Sequence, residues 1–397
     1  MASYVIIELK QHVGAVACAV VVAGDKVKKG QLVAVCDGLG ANIHSSVYGV
    51  ASEILADCIK IKMDEHQPEE YVKIKDTPCH LEAIKEAGIV GAGGAGFPAH
   101  VKFGADLRSG TFILNAAECE PVLGHNLRVL QERADEIVRG MQYVMDIVNA
   151  KTGIIAIKSK HTKELIKIAK ACKDKPNIRI EYLPDVYPIG DERAIVREVL
   201  GITLKPGQLP MDAGALVSNV ETIKRVVEAI ELRKPVITKD FTVSGRLKGL
   251  NTSGQRHKVY LDEPIGMPVK KYIDDCDGFL EPYGEILLGG PFTGASGSEN
   301  SVITKTLGGI FVSMPFPNDN RKFGILACEC GAGEARLKEI AAGMGGKVVA
   351  ETKCKRMVEV NGRFRCDEPG NCPGQAEKIL ELKRAGAQAI LAGSCED

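Results

Sequence analysis

The sequence predicts an α/β multidomain chain, with a small β module first, a central α/β layer, a second β-rich unit and a short cysteine-rich α/β tail. Three observations carry this expectation. The chain has 397 residues, more than one compact core organises, so roughly two to four domains are expected. Between Cys79 and about Lys234, segments of helical and strand spacing alternate, the pattern of helices layered on a largely parallel sheet. Six of the 13 cysteines (Cys328, Cys330, Cys354, Cys366, Cys372 and Cys395) lie beyond residue 327, which sets the tail apart.

Charge and hydropathy remove several function classes. The chain carries 51 basic and 51 acidic residues, net zero, with no basic block to form a nucleic-acid surface. The apolar run over residues 14–24 is closed by Asp25 and falls far short of the ~20 residues a membrane span needs. The first twelve residues lack a basic stretch followed by an apolar core, so no secretory signal is read and a cytoplasmic location is expected. In such a compartment, abundant cysteine points to redox or metal chemistry more than to structural disulfides. The seven cysteines outside the tail read as buried small apolar side chains, Cys119 excepted. His44, His100, His125, His161 and His257 are isolated and read as surface histidines.

Residues 1–75 form the first unit. Residues 16–22 and 31–36 read as strands flanking the turn signals of Gly24-Asp-Lys-Val-Lys-Lys-Gly30. A polar, proline-bounded linker covers residues 68–78. The second unit, 79–234, opens on a helix with Leu81, Ile84 and Ala87 at helical spacing. Residues 88–103, GIVGAGGAGFPAHVKF, follow, with the densest cluster of glycines in the chain. Gly91, Gly93 and Gly96 match G-x-G-x-x-G, yet a dinucleotide fingerprint must follow a strand and this one follows a helix. Glycine leaves backbone N–H groups free to approach an anion, so a phosphate is the expected occupant. A helix starting near Pro98, a strand over 111–115, a long amphipathic helix over 128–148, a strand over 153–157, a helix over 163–173 and a strand over 178–183 complete the alternation. Ligands in such sheets sit beyond the carboxyl ends of strands, where Asn115 and Tyr187 fall.

The third unit, 235–320, alternates Phe241-Thr-Val-Ser-Gly and Lys258-Val-Tyr-Leu strands with Pro-Gly punctuation. Its Gly289-Gly-Pro-Phe-Thr-Gly294 segment reads either as a return toward the second unit or as a plain turn. The fourth unit, 321–397, has a strand over 323–327 entering Cys328-Glu-Cys330, then a helix over 335–342. A cysteine between a strand end and a helix start lies near the positive end of the helix dipole, and a thiol pKa of about 8.5 is expected to fall there. Basic residues beside Cys354 and Cys366 favour thiolate in the same way. A helix over 376–385 and a strand over 389–392 then deliver Cys395 to another strand end. A thiol pair or relay, zinc binding by four thiolates and inert structural cysteines all stay open, though the spacings fit zinc-ligand loops poorly. The C-x2-C-x2-C-x3-C pattern of ferredoxin-type iron–sulfur ligation is absent, so no such cluster is expected.

The glycine loop, from Gly91 through Gly93, Gly94, Ala95, Gly96 and Phe97 to Lys102, resembles the GxGGxGFPxxxK loop of the RnfC family and of the flavin-bearing NADH-oxidising subunit of respiratory complex I. Three further segments match in order. Asn115-Ala-Ala-Glu118-Cys-Glu120-Pro is similar to the family's Asn-Ala-Asp-Glu-x-Glu-Pro. Tyr187-Pro-Ile-Gly190-Asp191-Glu192 is similar to its Tyr-x-x-Gly-Glu-Glu, and Ser218-Asn219-Val-Glu221-Thr222 to its Asn-Asn-Val-Glu-Thr. Ala117 and Asp191 depart from the pattern. Gly24-Asp-x-Val-x-x-Gly-Gln31 resembles the barrel-sandwich domain of biotinyl and lipoyl carriers, with no lysine at the carrier position. The third unit resembles a β-grasp (SLBB-type) domain. The resemblance therefore implies a barrel-sandwich hybrid, a Rossmann-like FMN domain, a β-grasp domain and the cysteine-rich unit, in that order.

It also implies FMN and NADH as cofactors. The N–H groups of Gly93, Gly94 and Gly96, with Asn219 and Thr222, would hold the flavin phosphate, and Lys102 would add charge. Phe97 would stack, Glu118 and Glu120 would meet ribose hydroxyls and repel the extra phosphate of NADPH, and Tyr187 and Glu192 would close the far side. The tail, with Cys354-Lys-Arg, Cys372-Pro-Gly-Gln and Gly-Ser-Cys395-Glu-Asp, resembles that of the proline reductase-associated electron transfer proteins (PrdC). This implies D-proline reductase, or a similar thiol or selenol reductase, as partner, and a selenocysteine just beyond Asp397. The alternative is a cofactor-free adaptor with a zinc-stabilised tail.

Overall fold

Two small antiparallel sheets open the chain. The computed structural model describes residues 3–94 and 96–393. Strands β1 (Tyr4–Glu8), β7 (Cys58–Met63), β6 (Gly49–Ile54) and β3 (Lys26–Val27) form one sheet, and β2 (Cys18–Ala19), β4 (Leu32–Val35) and β5 (Ile43–His44) form the other. Alternation along β1 and β7 turns Val5, Ile7, Ile59 and Ile61 inward, all of them fully buried. The stretch where a carrier would display its lysine is an interface instead. Ser46 Oγ donates to the Ile265 carbonyl at 2.5 Å, and the Asn42 carbonyl accepts from Lys305 Nζ at 2.6 Å. His44 is buried there, contrary to the surface position expected, and burial lowers its pKa to about 3.

The central layer runs α1 (His80–Glu86), α2 (Ala99–Lys102), β8 (Thr111–Ala116), α3 (His125–Ile147), β9 (Thr152–Lys158), α4 (Thr162–Ala171), β10 (Ile178–Leu183), α5 (Glu192–Leu200), β11 (Ala215–Asn219) and α6 (Val220–Glu231). Its four strands are all parallel, in the order β10-β9-β8-β11. The strand order therefore reverses between β8 and β11. The carboxyl ends on either side of such a reversal diverge and leave a crevice for ligands. α3 and α6 pack closely because Gly140 carries no side chain: a Cβ there would lie 2.6 Å from methyls of Ile223 and Val227. α3 starts three residues ahead of the expected 128, which buries His125; its pKa falls to about 4 through burial, again unlike a surface histidine.

The third unit is a mixed five-stranded sheet, β13-β12-β16-β14-β15, from β12 (Thr238–Gly245), β13 (His257–Pro264), β14 (Ile286–Leu288), β15 (Ala295–Gly297) and β16 (Gly309–Val312). Helices α7 (Lys248–Ser253) and α8 (Val269–Asp274) accompany it, and Phe241, Tyr260 and Tyr272 form an aromatic cluster with Phe241 and Tyr272 edge to face at 4.8 Å. A buried ionic network joins this sheet to α6. Lys224 Nζ lies 2.7 Å from Asp240, while Arg225 reaches Glu228 at 2.8 Å and Asp262 at 2.9 Å. Burial alone would raise the Asp240 and Asp262 carboxyls, but Arg225 and Lys224 outweigh it and hold both below the ordinary range.

The tail has a three-stranded parallel sheet, β18-β17-β21, from β17 (Lys322–Ala327), β18 (Lys347–Lys353) and β21 (Ala389–Ala392). The hairpin of β19 (Met357–Val360) and β20 (Arg363–Cys366) stands beside it, with α9 (Glu334–Gly343) and α10 (Ala376–Arg384). Its own apolar core is small, centred on Ile325, Ala327 and Leu337. Of the seven cysteines expected to be buried apolar groups or watched separately, only Cys276 is buried; Cys18 and Cys79 are exposed and the rest half-buried. Among the described residues, no helix is long and apolar enough to cross a membrane.

Candidate functional site

The glycine loop is a closed turn. Its base is pinched by the Gly91 N–H to Phe97 carbonyl bond at 2.9 Å and the Ala99 N–H to Ile89 carbonyl bond at 2.9 Å. Thr222 Oγ1 accepts from the Ala92 N–H at 3.0 Å. Gly96 has φ +71° and packs so tightly that a Cβ would sit 2.7 Å from the Thr306 methyl. Gly93 and Gly94 are exposed, and their N–H groups bond to no described residue. A Cβ on Gly93 would lie 2.8 Å from Asn219 Nδ2, whereas a Cβ on Gly94 would meet nothing within 4 Å. Ala95 lies outside the described residues.

Asn115 and Asn219 are register partners at the carboxyl ends of β8 and β11, the two strands that bound the crevice. Asn219 Oδ1 caps α6 through the Glu221 N–H at 2.8 Å, which leaves its amide nitrogen toward the glycine loop. Asn115 Nδ2 donates to the Gly190 carbonyl at 3.0 Å and so ties the second motif to the third. Asp191 caps α5 by accepting from the Arg193 and Ala194 N–H groups. Lys102 and Glu192 form an ion pair at 2.6 Å across the crevice. Glu118, with φ +38°, accepts from Asn126 Nδ2 at 3.0 Å. Phe97 is 40% exposed and available to stack on a ring.

Three expected ligand residues have other partners. Glu120 accepts from the Phe292 N–H at 3.0 Å, the Thr293 N–H at 2.9 Å and the Thr293 hydroxyl, so it anchors the 289–294 loop over the crevice. Glu221 is buried and its carboxylate faces Arg225 and Lys239, inside the ionic network. Thr222 is buried as well and braces the loop through Ala92 without facing its tip. These residues are placed by contacts with the third unit and with the loop itself, which a local motif does not report. Two N–H groups that bond to no described residue, an amide side chain beside them and an open space at Gly94 fit a bound phosphate.

The cysteine tail abuts this crevice at Tyr187. The phenol donates to the Cys330 carbonyl, and its ring packs edge to face on Phe292 at 4.6 Å. Burial, with the Glu120 carboxylate nearby, pushes the Tyr187 phenol up, so it remains a hydrogen-bond donor. Cys328, Cys330, Cys354, Cys366 and Cys372 line one small cleft with Tyr187 and Pro188. β17 and β18 deliver two of them side by side, since the Cys354 N–H donates to the Ala327 carbonyl at 2.9 Å. Arg193, directly after the third motif, donates to the Cys366 carbonyl at 2.7 Å, and Arg197 to that of Pro369 at 2.7 Å. Cys395 and the rest of residues 394–397 lie outside the described residues, as does any selenocysteine past Asp397.

Not every tail thiol is activated as expected. Hydrogen bonds with the Cys328 and Cys366 sulfurs, and burial, push the Cys330 thiol up, and burial pushes Cys354 up despite its basic neighbours. Cys366 moves down, through the hydrogen bond from Cys330. The dipole of α9 is too distant to reverse this, because that helix starts only at Glu334. Among the described residues, no group of three or more candidate side chains is arranged to hold a metal ion. Sequence reading missed Arg193, Phe292 and Glu329. Arg193 carried a signal in its adjacency to the third motif, and Phe292 one in the 289–294 segment that reads as a possible return toward the second unit.

Comparison with known proteins identifies two of the domains. The Nuo51 FMN-binding domain family matches residues 84–228, and the RnfC barrel sandwich hybrid domain matches residues 1–67. One component of the proton-translocating ferredoxin:NAD(+) oxidoreductase complex of Clostridium ljungdahlii is 33% identical over 82% of this chain and 74% of its own length. The chain belongs to the RnfC family. Another relative, the cobalamin reductase PduS of Citrobacter freundii, is 36% identical over 60% of this chain and 50% of its own length, so the chain spans about half of that protein. Among solved structures, an air-oxidised NAD+-reducing [NiFe]-hydrogenase superposes with a TM-score of 0.51 at 20% identity, over 60% of this chain and 47% of that one, a likeness of fold. This RnfC-family chain is thus a mixed α/β multidomain protein with an RnfC-type first domain and an FMN-binding domain like that of respiratory complex I.

Proposed function

We propose that this chain is an NADH-oxidising FMN protein of the cytoplasm that hands electrons to its tail cysteines and through them to a partner, a thiol or selenol reductase of the D-proline reductase kind. The observation that carries the reading is the Tyr187 contact: one side chain of the flavin crevice holds the backbone of a tail cysteine. FMN bound in the crevice supplies a centre that takes hydride from NADH and releases electrons to a disulfide.

The chain's own residues do the rest. The N–H groups of Gly93 and Gly94 and the amide of Asn219 hold the phosphate, with Lys102 adding positive charge near it. Asn115 and Gly190, bonded to each other, fix the floor of the crevice, and Glu118 offers a carboxylate for sugar hydroxyls. Phe97 and Phe292 shield the site from water on opposite flanks. Tyr187 keeps its proton and holds the Cys330 turn against the crevice wall. The test is an anaerobic NADH titration followed by visible spectrum, in wild type and in the Cys330→Ser and Cys366→Ser variants. Flavin reduction that survives in the variants while transfer to a disulfide acceptor is lost supports the order of carriers. A colourless protein that also takes up no added FMN refutes the reading and favours an adaptor role.

A further inference from the structure

We propose that Cys330 and Cys366 are the working redox couple of the tail, joined as a disulfide when oxidised and open when reduced. This rests on the electron-transfer reading above and sharpens it, by naming which two of the five cleft cysteines carry the electron pair and what kind of acceptor can take it.

The placement of Glu329 carries the proposal. Glu329 lies between Cys328 and Cys330 in the turn after β17, yet its carboxylate accepts from the backbone N–H of Cys366, at the end of β20. The same carboxylate takes Arg365 at 2.6 Å and Arg193 at 3.3 Å, so one residue clamps the two segments together from both sides. Arg193 also holds the Cys366 carbonyl, and Tyr187 holds that of Cys330. Both ends of the pair are thereby fixed by the flavin-binding domain. The side chains of both residues line the same small cleft. Cys328 lies in the same turn as Cys330, where its Sγ accepts from the Cys330 N–H at 3.2 Å, and Cys354 Sγ accepts from Gln375 Nε2 at 3.1 Å. Within the pair the proton belongs on Cys330, whose thiol is pushed up, while Cys366 is held down.

The electron balance is that of thiol–disulfide exchange. With a reduced flavin as the two-electron donor, reduction would add two electrons and one proton to the disulfide, break the S–S bond and leave a thiol on Cys330 beside a thiolate on Cys366. In the forward direction the Cys366 thiolate attacks one sulfur of the acceptor disulfide and the other acceptor sulfur leaves as a thiolate, which takes the Cys330 proton. Cys330 then attacks Cys366, forms the internal disulfide and releases the second acceptor thiolate. Because Cys366 is only 7% exposed, the acceptor has to be slender enough to enter past the exposed Cys372. A disulfide, or its selenium counterpart, on an extended segment meets that demand.

The test equilibrates the full chain anaerobically in graded mixtures of reduced and oxidised dithiothreitol, quenches with an alkylating maleimide and maps the modified peptides by mass spectrometry. The expected result is one reversible disulfide, Cys330–Cys366, with two thiols lost per chain. It persists in Cys354→Ser and disappears in Cys366→Ser. Glu329→Gln loosens the clamp and favours the open dithiol about tenfold, a shift of about 30 mV. A different pairing such as Cys328–Cys354, no disulfide at any poise, or stoichiometric zinc on these thiols overturns the proposal. FMN uptake and bleaching by NADH are recorded on the same preparation. A Cys330–Cys366 bond in protein that takes up no flavin leaves the pair standing and removes the electron-transfer reading, while flavin that bleaches beside another pairing does the reverse.

Discussion

Replacing Gly94 by alanine separates flavin binding from folding. The glycine is exposed, its φ lies outside the left-handed region, and a Cβ there meets no protein atom within 4 Å. The folded protein therefore accommodates the methyl, and stability is expected to stay level or rise by less than about 1 kcal/mol through the unfolded chain. If the N–H groups at this tip hold a phosphate, the methyl occupies the ligand's space. A hydrogen bond to a charged group is worth about 1.5–3 kcal/mol, so losing one weakens FMN binding by about 10- to 150-fold. Gly93→Ala provides the contrast. Its Cβ would stand 2.8 Å from Asn219 Nδ2, well inside ordinary contact, and Asn219 caps α6. Displacing that cap costs about 1 kcal/mol of stability in addition to the lost affinity. The assay is titration of apoprotein with FMN and with riboflavin, read by quenching of flavin fluorescence, alongside denaturant unfolding. The Gly94→Ala loss is expected for FMN and much less for riboflavin. Equal FMN affinity in wild type and Gly94→Ala would show that no phosphate sits at the loop tip.

Three further outcomes test the surrounding structure. Tyr187→Phe removes the bond to the Cys330 carbonyl; amide exchange around residues 328–330 is expected to accelerate about fivefold, the equivalent of about 1 kcal/mol, and unchanged exchange would mean the tail is held elsewhere. Arg225→Met leaves Glu221, Glu228, Asp240 and Asp262 short of a buried partner, so unfolding in urea should show a loss of about 3–5 kcal/mol; a loss below about 1 kcal/mol would mean the network is dispensable. His125 has its folded pKa depressed to about 4, so the unfolded chain binds its proton first on acidification. Its contribution is fully present above about pH 6.5 and is lost as pH falls toward 4, by about 3 kcal/mol. His125→Gln should flatten the stability profile across that window, and a parallel profile would refute the assignment.

The sequence made the glycine loop and the strand-end asparagine legible because both are local: a dense run of glycines has few uses, and Asn115 closes an apolar strand. The helices and strands of the central layer were legible for the same reason, each carrying its own periodicity. Partner choice was not. Glu120 and Glu118 are alike in sequence, yet Glu120 meets the N–H groups of a loop some 170 positions later, while Glu118 meets Asn126 nearby. His44 and His125 read as surface residues because no neighbouring residue announces the domain packed against them. The thiol acidities failed on a similar point. Helix dipole and flanking arginines are visible in a sequence, whereas the influences on Cys330, from Cys328 in its own turn, from Cys366 at the end of β20 and from burial, depend on how the turn folds.

Both ends of the glycine loop are gripped by the first module and the segment after β15. The Val13 N–H holds the Gly96 carbonyl at 3.2 Å, and Lys305, itself seated on Gln11 and Asn42, holds that of Gly88 at 2.7 Å. A domain built like a cofactor carrier but lacking the carrier lysine thus acts as a buttress. A fragment cut to the flavin-binding domain alone would keep every motif residue and still present a slack, poorly shaped cradle.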